Sequence, residues 1–418
     1  MLQGYKKIFE IQTLINYIFV LLIFIFPISA KKIYPLLLLL IVLWIIEGRW
    51  KEKFSILKAS KGFIYYFIFM VFMGCSLFWS DSIYGGFTKH YPSNGVLEYF
   101  KMYFSIFLLV PIILTSIKSY YIKLSISIFL TSIFISEIIS WGLFFEWLHI
   151  DGKIASDPSP FMHHSLYSIF LAITFFIVLT KFFQTKNKSY KFILILFATS
   201  NLANLFFNGG RLGQIAFLLG FFVYMIMRFK VSIKSVLIIC FMLFGIVLTA
   251  YKVSPIFYKK VHQTEIAIQK LKQGNFNTSW GQRVYGLMVA KDVLKEHPFL
   301  GAGIGNAKNE FMEKSKQYSH GNIVKYFWHM HNQYMQVLIE TGIIGFILFL
   351  VFIYHLFKIK IHATMYILFC TILTIYCFGF VGEPLFWNRQ PFLLFNFLIG
   401  IFLWLDYIKI KEDIYETI

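Results

Sequence analysis

Two arginines and a histidine stand out as residues suited to anion and proton chemistry in otherwise apolar surroundings. Arg211 lies in Asn208-Gly209-Gly210-Arg211-Leu212-Gly213-Gln214, and Arg283 follows Trp280-Gly281-Gln282. A guanidinium stays charged at any relevant pH and offers fork-shaped paired donors, so two of them on one side of a membrane suit a diphosphate. Each also has a plainer reading, Arg211 as a snorkelling interface anchor and Arg283 as a solvated surface charge. The glycines beside Arg211 favour the anion, because they open the backbone around the guanidinium. Arg389, in Trp387-Asn388-Arg389-Gln390-Pro391, is a third candidate, and Trp280 joins these as a candidate substrate contact. His331 lies in Trp328-His329-Met330-His331-Asn332-Gln333-Tyr334-Met335-Gln336. Its imidazole fits a general base that takes a proton from a hydroxyl, and equally a hydrogen-bonded interfacial ring.

At about 100° per residue, Asn332, Gln333, Gln336 and Glu340 fall into one polar wedge that should face protein or water. His331 lies outside the wedge, at the helix mouth. Asn332, beside it, is a candidate substrate contact, and Glu340 is expected to be paired within the bundle. His163 and His164 follow Asp157-Pro158-Ser159-Pro160 and could bind a sugar. Neither His163-His164 nor His329-x-His331 has the helical i, i+4 spacing with a nearby carboxylate or thiolate that a zinc site shows, so no metal and no cofactor is expected. Glu137 and Glu383 are further acids near apolar runs, each able to satisfy a polar neighbour. Gly301-Ala302-Gly303-Ile304-Gly305 supplies a tight turn that brings backbone close to a ligand or another helix, and is no nucleotide loop, since no strand precedes it.

The surroundings of these residues are membrane-like. Of 418 residues, 58 % are apolar, 20 % aromatic and only 14 % charged, which excludes soluble enzymes and secreted disulfide folds. Twelve apolar runs, at about 12–29, 33–46, 63–79, 102–117, 120–142, 162–180, 190–207, 212–227, 234–251, 331–354, 363–381 and 391–408, approach the roughly 20 residues a helix needs to cross hydrocarbon. The second is short enough to be re-entrant, and the first does not read as a cleaved signal peptide. Cys75, Cys240, Cys370 and Cys377 all fall inside apolar runs and read as buried packing residues.

The fold class is therefore an all-α polytopic membrane protein of about 12 transmembrane helices. Residues 1–253 form an N-terminal bundle of about nine spans, 254–330 a large periplasmic loop, and 331–418 about three C-terminal spans. The net charge of +19 reads as loop anchoring and not as a nucleic-acid signal. With the N-terminus inside, 20 Lys and Arg fall on the cytoplasmic side against 7 in the short opposite loops, which sets both termini in the cytoplasm. Within the long loop, Ser279 to Glu296 reads as an amphipathic helix with Val284, Leu287, Met288 and Leu294 on its apolar face, ended by His297-Pro298. The absence of an internal repeat weighs against a transporter built from two related halves.

Asn208-Gly209-Gly210-Arg211, the segment from Arg283 through Lys295-Glu296-His297-Pro298-Phe299-Leu300-Gly301-Ala302-Gly303, and His331-Asn332-Gln333-Tyr334-Met335-Gln336-Val337-Leu338-Ile339-Glu340-Thr341-Gly342-Ile343-Ile344-Gly345 together resemble the O-antigen ligase/polymerase superfamily. The resemblance implies a metal-independent, inverting glycosyltransferase of the C-type membrane architecture, working on the periplasmic side of the inner membrane. Its donor would be a glycan on undecaprenyl diphosphate and its acceptor lipid A-core. Carried over to matching positions, Arg211 and Arg283 would bind the diphosphate and His331 would act on the acceptor hydroxyl. An O-antigen polymerase and a protein O-oligosaccharyltransferase share the same motifs, and a lipid-linked glycan transporter is the alternative from another class.

Overall fold

The computed structural model describes residues 2–80, 96–229, 231–304, 306–317 and 330–417. Gly305, Trp328 and His329 of the sequence reading lie outside them, as do Lys89 and Lys230 from its count of basic residues. Among the described residues the regular structure is helical. In chain order the helices are α1 (Leu2–Ile25), α2 (Ile33–Glu47), α3 (Trp50–Ala59), α4 (Lys61–Cys75), α5 (Val96–Phe107), α6 (Leu109–Ser116), α7 (Ser119–Phe144), α8 (His164–Gln184) and α9 (Lys188–Phe207). They continue with α10 (Arg211–Phe229), α11 (Ile233–Val253), α12 (Pro255–Lys272), α13 (Ser279–Glu296), α14 (Asn306–Gln317), α15 (Gln333–Leu356), α16 (Ala363–Gly382) and α17 (Arg389–Thr417).

Among the described residues, nine helices are long and apolar enough to cross a membrane, or ten if the bent pair α2–α3 counts as one span. The other two of the twelve expected runs fall on the shorter apolar helices Glu10–Ile25 and Phe100–Ser116. The second run lies wholly within α2, and just past its end Gly48 (φ 70°) and Arg49 (φ 57°) both take the left-handed conformation, turning α3 by 112° from α2. In α8 and α17, 78 % of the apolar window is buried in protein, against 11 % in α11, so the first two form the centre of the bundle and α11 its rim. Phe26, Phe129, Phe170 and Phe397 meet in that centre with ring centroids 5.9–6.4 Å apart. The aromatic content thus fills the core as well as the lipid-facing surface. Cys370 is buried as expected, but Cys240 is exposed on the rim helix α11.

Three features set up the candidate site. The first is the close approach of α10 to α8. A Cβ at Gly210 or Gly213 would overlap Ser168, whose hydroxyl accepts from Gly213 N at 3.1 Å. Those glycines serve helix contact and do not open a path for a bulky anion, which corrects the sequence reading.

The second is a break in α15 at Gly342, with φ 63° and ψ −167°. The break frees backbone groups that the segment after α13 takes up. Ala302 N donates to Ile339 O at 2.8 Å and Gly303 N to Glu340 O at 3.0 Å, while Ile343 N and Ile344 N donate to Pro298 O and Phe299 O at 3.0 and 3.3 Å. Gly301 sits so close that a Cβ would come within 2.5 Å of the Thr341 and Gly342 nitrogens. The glycine-rich turn therefore approaches another helix, and irregular backbone at a span is satisfied by protein.

The third is a small separate core between α13, α14 and the start of α15, built from Tyr285, Val289, Ala290, Val293, Ala302, Phe311, Met330 and Ile339 with a few neighbours. Helix α13 has the bounds expected from the sequence, yet its buried face is Tyr285, Val289, Ala290 and Val293. Leu287 and Met288, assigned to that face, are exposed at 44 % and 38 %.

Candidate active site

The last residues of α16 hold the candidate groups together. Val381 O accepts from Asn332 Nδ2 at 3.2 Å, and Gly382 O accepts from both Nε and Nη2 of Arg283 at 3.3 Å. The next residue, Glu383, faces two cations. Its Oε1 lies 3.9 Å from Arg283 Nη2 and its Oε2 lies 3.6 Å from His331 Nδ1. A helix C-terminus carries partial negative charge, so cations are favoured there. The Glu383 side chain is 9 % exposed, against 29 % for Arg283 and 25 % for His331.

His331 takes φ 48°, a left-handed conformation in a residue with a Cβ. Asn332 follows as the N-cap of α15, its Oδ1 accepting from Met335 N at 3.0 Å. Both ends of the Asn332 amide are thus engaged with protein, which makes it the residue that fixes where α15 begins. The rest of the polar wedge faces protein, as its pattern required. Gln336 Nε2 and Trp387 Nε1 donate to Glu340 Oε1 at 2.6 and 3.0 Å, and Gln333 Oε1 accepts from Phe386 N at 2.8 Å.

Arg211 opens α10 and reaches across to the α12–α13 segment. Its Nη1 donates to Thr264 Oγ1 at 2.5 Å and its Nη2 to Ser279 Oγ at 2.9 Å, while Arg283 Nη1 donates to Ser279 O at 2.8 Å. The two guanidinium groups therefore converge on one serine. A third cation, Lys260, packs beside them, with its Cε 3.0 Å from where a Cβ on Gly209 would stand. Burial draws the Lys260 ammonium below its ordinary value, and the charge on Arg211 pushes the same way. Burial also lowers Arg283, partly offset by Glu383. Like charges held at close quarters and partly out of water are a site prepared for an anion.

At the start of α8, His164 Nδ1 pairs with Asp157 Oδ2 at 2.9 Å and its ring lies 3.9 Å from that of His163. Burial alone would raise Asp157, but the hydrogen bond and charge of His164, with the Ser159 hydroxyl, hold it at about 2. His163 caps α8 through Ser165 N, and burial followed by the charge of His164 pulls it below the usual imidazole range, against the field of Glu383. So His163 also lies within the reach of Glu383. Arg389 is placed apart from these contacts, its guanidinium 4.3 Å above the Tyr34 ring. Trp280, in the first turn of α13, is 41 % exposed. Glu137 is held by Asn201 Nδ2 at 2.5 Å and Ser200 Oγ at 3.1 Å, a packing role inside the bundle.

The structure thus brings Arg211, Arg283 and His331 into one region with His163, and adds two residues that sequence reasoning passed over, Lys260 and the bridging role of Glu383. Only the proximity of Glu383 to Gly382 and the helix end carried any local signal for the latter. Among the described residues, one group has metal-compatible spacing, Glu296, His297 and Glu310. Its members are engaged in ion pairs, Glu296 with Lys314 and His297 with Glu310 at 3.7 Å. Chemically, the main cluster offers donors for a multiply charged anion and an imidazole beside them to accept a proton.

Residues 192–350 match the model of a family described as O-antigen ligase. No curated protein matches the chain. The matched stretch contains Arg211, Arg283, His331 and the Gly342 break, and it stops short of Glu383.

Proposed function

From the premise that residues 192–350 carry a domain of the O-antigen ligase/polymerase superfamily, we propose that this multi-pass membrane protein is an O-antigen ligase. In this reading it transfers polysaccharide from undecaprenyl diphosphate to lipid A-core at the periplasmic face of the inner membrane, with no metal and with inversion at the anomeric carbon. Arg211 and Arg283 bind the diphosphate. Negative charge grows on the departing diphosphate oxygen as the bond to the anomeric carbon breaks, and pre-placed guanidinium groups stabilise it more in the transition state than in the ground state. An acceptor hydroxyl oxygen forms the new bond from the opposite face while its proton passes to His331. Lys260 adds positive charge to the diphosphate pocket, and His163 and His164 contact sugar.

The observation that carries this reading is the convergence of Arg211 and Arg283 on Ser279, with Glu383 linking Arg283 to His331. Donor site and base are thereby neighbours, as transfer to a hydroxyl needs. The test is the lipopolysaccharide and lipid-linked glycan profile of the host strain lacking this chain. Full-length polysaccharide on the carrier with bare core lipid is the expected result. Core lipid capped by a single repeat unit would instead assign a polymerase, and an unchanged lipopolysaccharide would point to a protein acceptor.

A further inference from the structure

The two histidines at the start of α8 are held by opposite kinds of partner. His164 Nδ1 lies 2.9 Å from Asp157 Oδ2. Burial would raise Asp157, yet that contact and the Ser159 hydroxyl hold it at about 2, so its carboxylate only accepts and Nδ1 must carry hydrogen. In the neutral ring Nε2 is then an acceptor. His163 is the converse: its Nδ1 accepts from Ser165 N at 3.4 Å, which leaves hydrogen on Nε2 and makes that nitrogen a donor. The ring centroids are 3.9 Å apart, with the planes tilted by 35°. Among the described residues neither Nε2 has a hydrogen-bond partner, and the His164 side chain is 22 % exposed.

The pair is tied to the cationic cluster. Ser159 Oγ donates to Asp157 Oδ1 at 2.8 Å and accepts from Asn208 Nδ2 at 2.7 Å, and Asn208 Oδ1 accepts from Gly210 N at 2.9 Å. Ser159 and Asn208 are buried, so this chain fixes Asp157 against the residue that precedes Arg211. Gly209 lies between the imidazole and a cation: a Cβ there would stand 3.0 Å from Lys260 Cε and 3.8 Å from His164 Cγ.

We propose that His163 and His164, held in opposite tautomers, recognise two adjacent hydroxyls on the sugar joined to the donor diphosphate, and that Asp157 is the positioning residue of the pair. A phosphate oxygen without hydrogen only accepts and a cation only donates, whereas a hydroxyl does both. One acceptor nitrogen beside one donor nitrogen therefore matches two hydroxyls, the first giving its hydrogen to His164 and the second receiving one from His163. Arg211, Arg283 and Lys260 supply donors alone and suit the diphosphate. A site built in this way also rejects a donor lacking the hydroxyls, because its ring nitrogens would be left unpaired. The sugar as ligand rests on the proposed function; the opposite tautomers do not.

Two measurements test this. In purified protein with isotope-labelled histidine in neutral buffer, nitrogen resonances report which ring nitrogen bears hydrogen, with His163 and His164 identified by their loss in His163→Asn and His164→Gln. Hydrogen on Nε2 of His163 and on Nδ1 of His164 is expected, and Asp157→Ala should move His164 toward the Nε2-bearing form. The same tautomer on both rings would overturn the proposal, as would hydrogen on both nitrogens of His164, which would assign that ring to the anion. The second measurement compares binding of undecaprenyl diphosphate with binding of the lipid-linked glycan isolated from the deletion strain. His163→Asn, His164→Gln and Asp157→Ala should each weaken the glycan lipid about tenfold and leave undecaprenyl diphosphate within about twofold, whereas Arg211→Ala should weaken both. Equal losses for the two lipids, or no loss for either, would overturn sugar recognition by the pair. If the deletion strain accumulates no such glycan, the proposed function falls and takes the sugar with it, while the tautomers still decide how the pair is built.

Discussion

Replacing His331 by Ala is expected to lower transfer by on the order of 10²–10⁴-fold, measured with purified donor and acceptor in detergent, because the proposed mechanism takes the acceptor proton on this imidazole, which lies beside Glu383 and Arg283. Intact transfer would remove His331 from the mechanism. Arg211→Ala and Arg283→Ala should each leave membrane insertion intact and cost about 10²–10³-fold, with Arg283→Lys recovering little, since a lysine cannot reproduce the paired donors that reach Gly382 and Ser279. Full activity in both alanine variants would show that the diphosphate is held elsewhere. Asp157 gives a pH expectation. Its carboxyl is held at about 2 in the fold, below its ordinary value of 3.8, so its contribution to stability is present above about 4 and is lost as pH falls toward 2. Thermal unfolding in detergent should therefore show an acid-labile component that Asp157→Asn removes; an unchanged acid limb would sink the assignment. At this scale the sequence was informative for arginines, because a guanidinium at the edge of an apolar run needs a reason. It was silent on Lys260, one of four lysines in α12, and weak on Glu383, whose partners lie far away along the chain.

Helix α15 and the turn after α13 act as one unit. The stretch Pro298 to Gly303 and the stretch Ile339 to Ile344 exchange backbone hydrogen bonds, and each side depends on glycine, Gly301 at φ 69° and Gly342 at φ 63°. A Cβ at Gly342 would run into the Phe299 carbonyl as well as straining the backbone. Gly342→Ala should cost about 1–3 kcal/mol in thermal or denaturant unfolding, and Gly301→Ala a similar amount. Together they should cost less than the sum, because each faces the other and the first change already opens the junction. Strict additivity would mean that the two glycines act separately. The sequence showed the Gly301–Gly305 run as a place of close backbone approach, but it could not tell a ligand from a helix as the thing approached, and it gave no sign that Gly342 is the glycine it meets. It also set the ends of α13 at Ser279 and Glu296 and mistook its buried face. Side-chain size was the cause: Leu287 and Met288 are the larger apolar residues, yet the core there is shaped by Phe311, Met330 and Ile339, which reach α13 from other segments and favour Tyr285, Val289 and Val293.

For the whole molecule, the starts of α8, α10 and α15 and the end of α16 share one end of the bundle: Asn332 donates to Val381 O, His163 lies in the field of Glu383, and Arg211 reaches Ser279, which Arg283 joins to Gly382 O. Apolar patterning alone revealed the membrane-spanning character, but it did not show that two of the runs fall on shorter apolar helices, Glu10–Ile25 and Phe100–Ser116, or that Gly48 and Arg49 bend α3 away from α2, which no hydropathy average records. That bend also revises the charge argument. Lys53, counted as a loop cation, is buried against Glu47 at 2.9 Å and sits between the Trp44 and Trp50 rings at 4.7 and 5.0 Å. A cation neutralised in this way anchors protein and does little to hold a loop at an anionic surface. Removing it leaves the basic excess on the same side, 19 against 7, so the expected orientation is unchanged. The proposed topology then makes a definite claim about two exposed lysines, Lys51 on α3 and Lys291 on α13. With the native cysteines replaced, Lys291→Cys should react with a membrane-impermeant maleimide in cells whose outer membrane is permeabilised, whereas Lys51→Cys should react only after the inner membrane is opened. The reverse pattern would place the cationic cluster in the cytoplasm, where nucleotide sugars are at hand, and would end the case for a lipid diphosphate donor at this site.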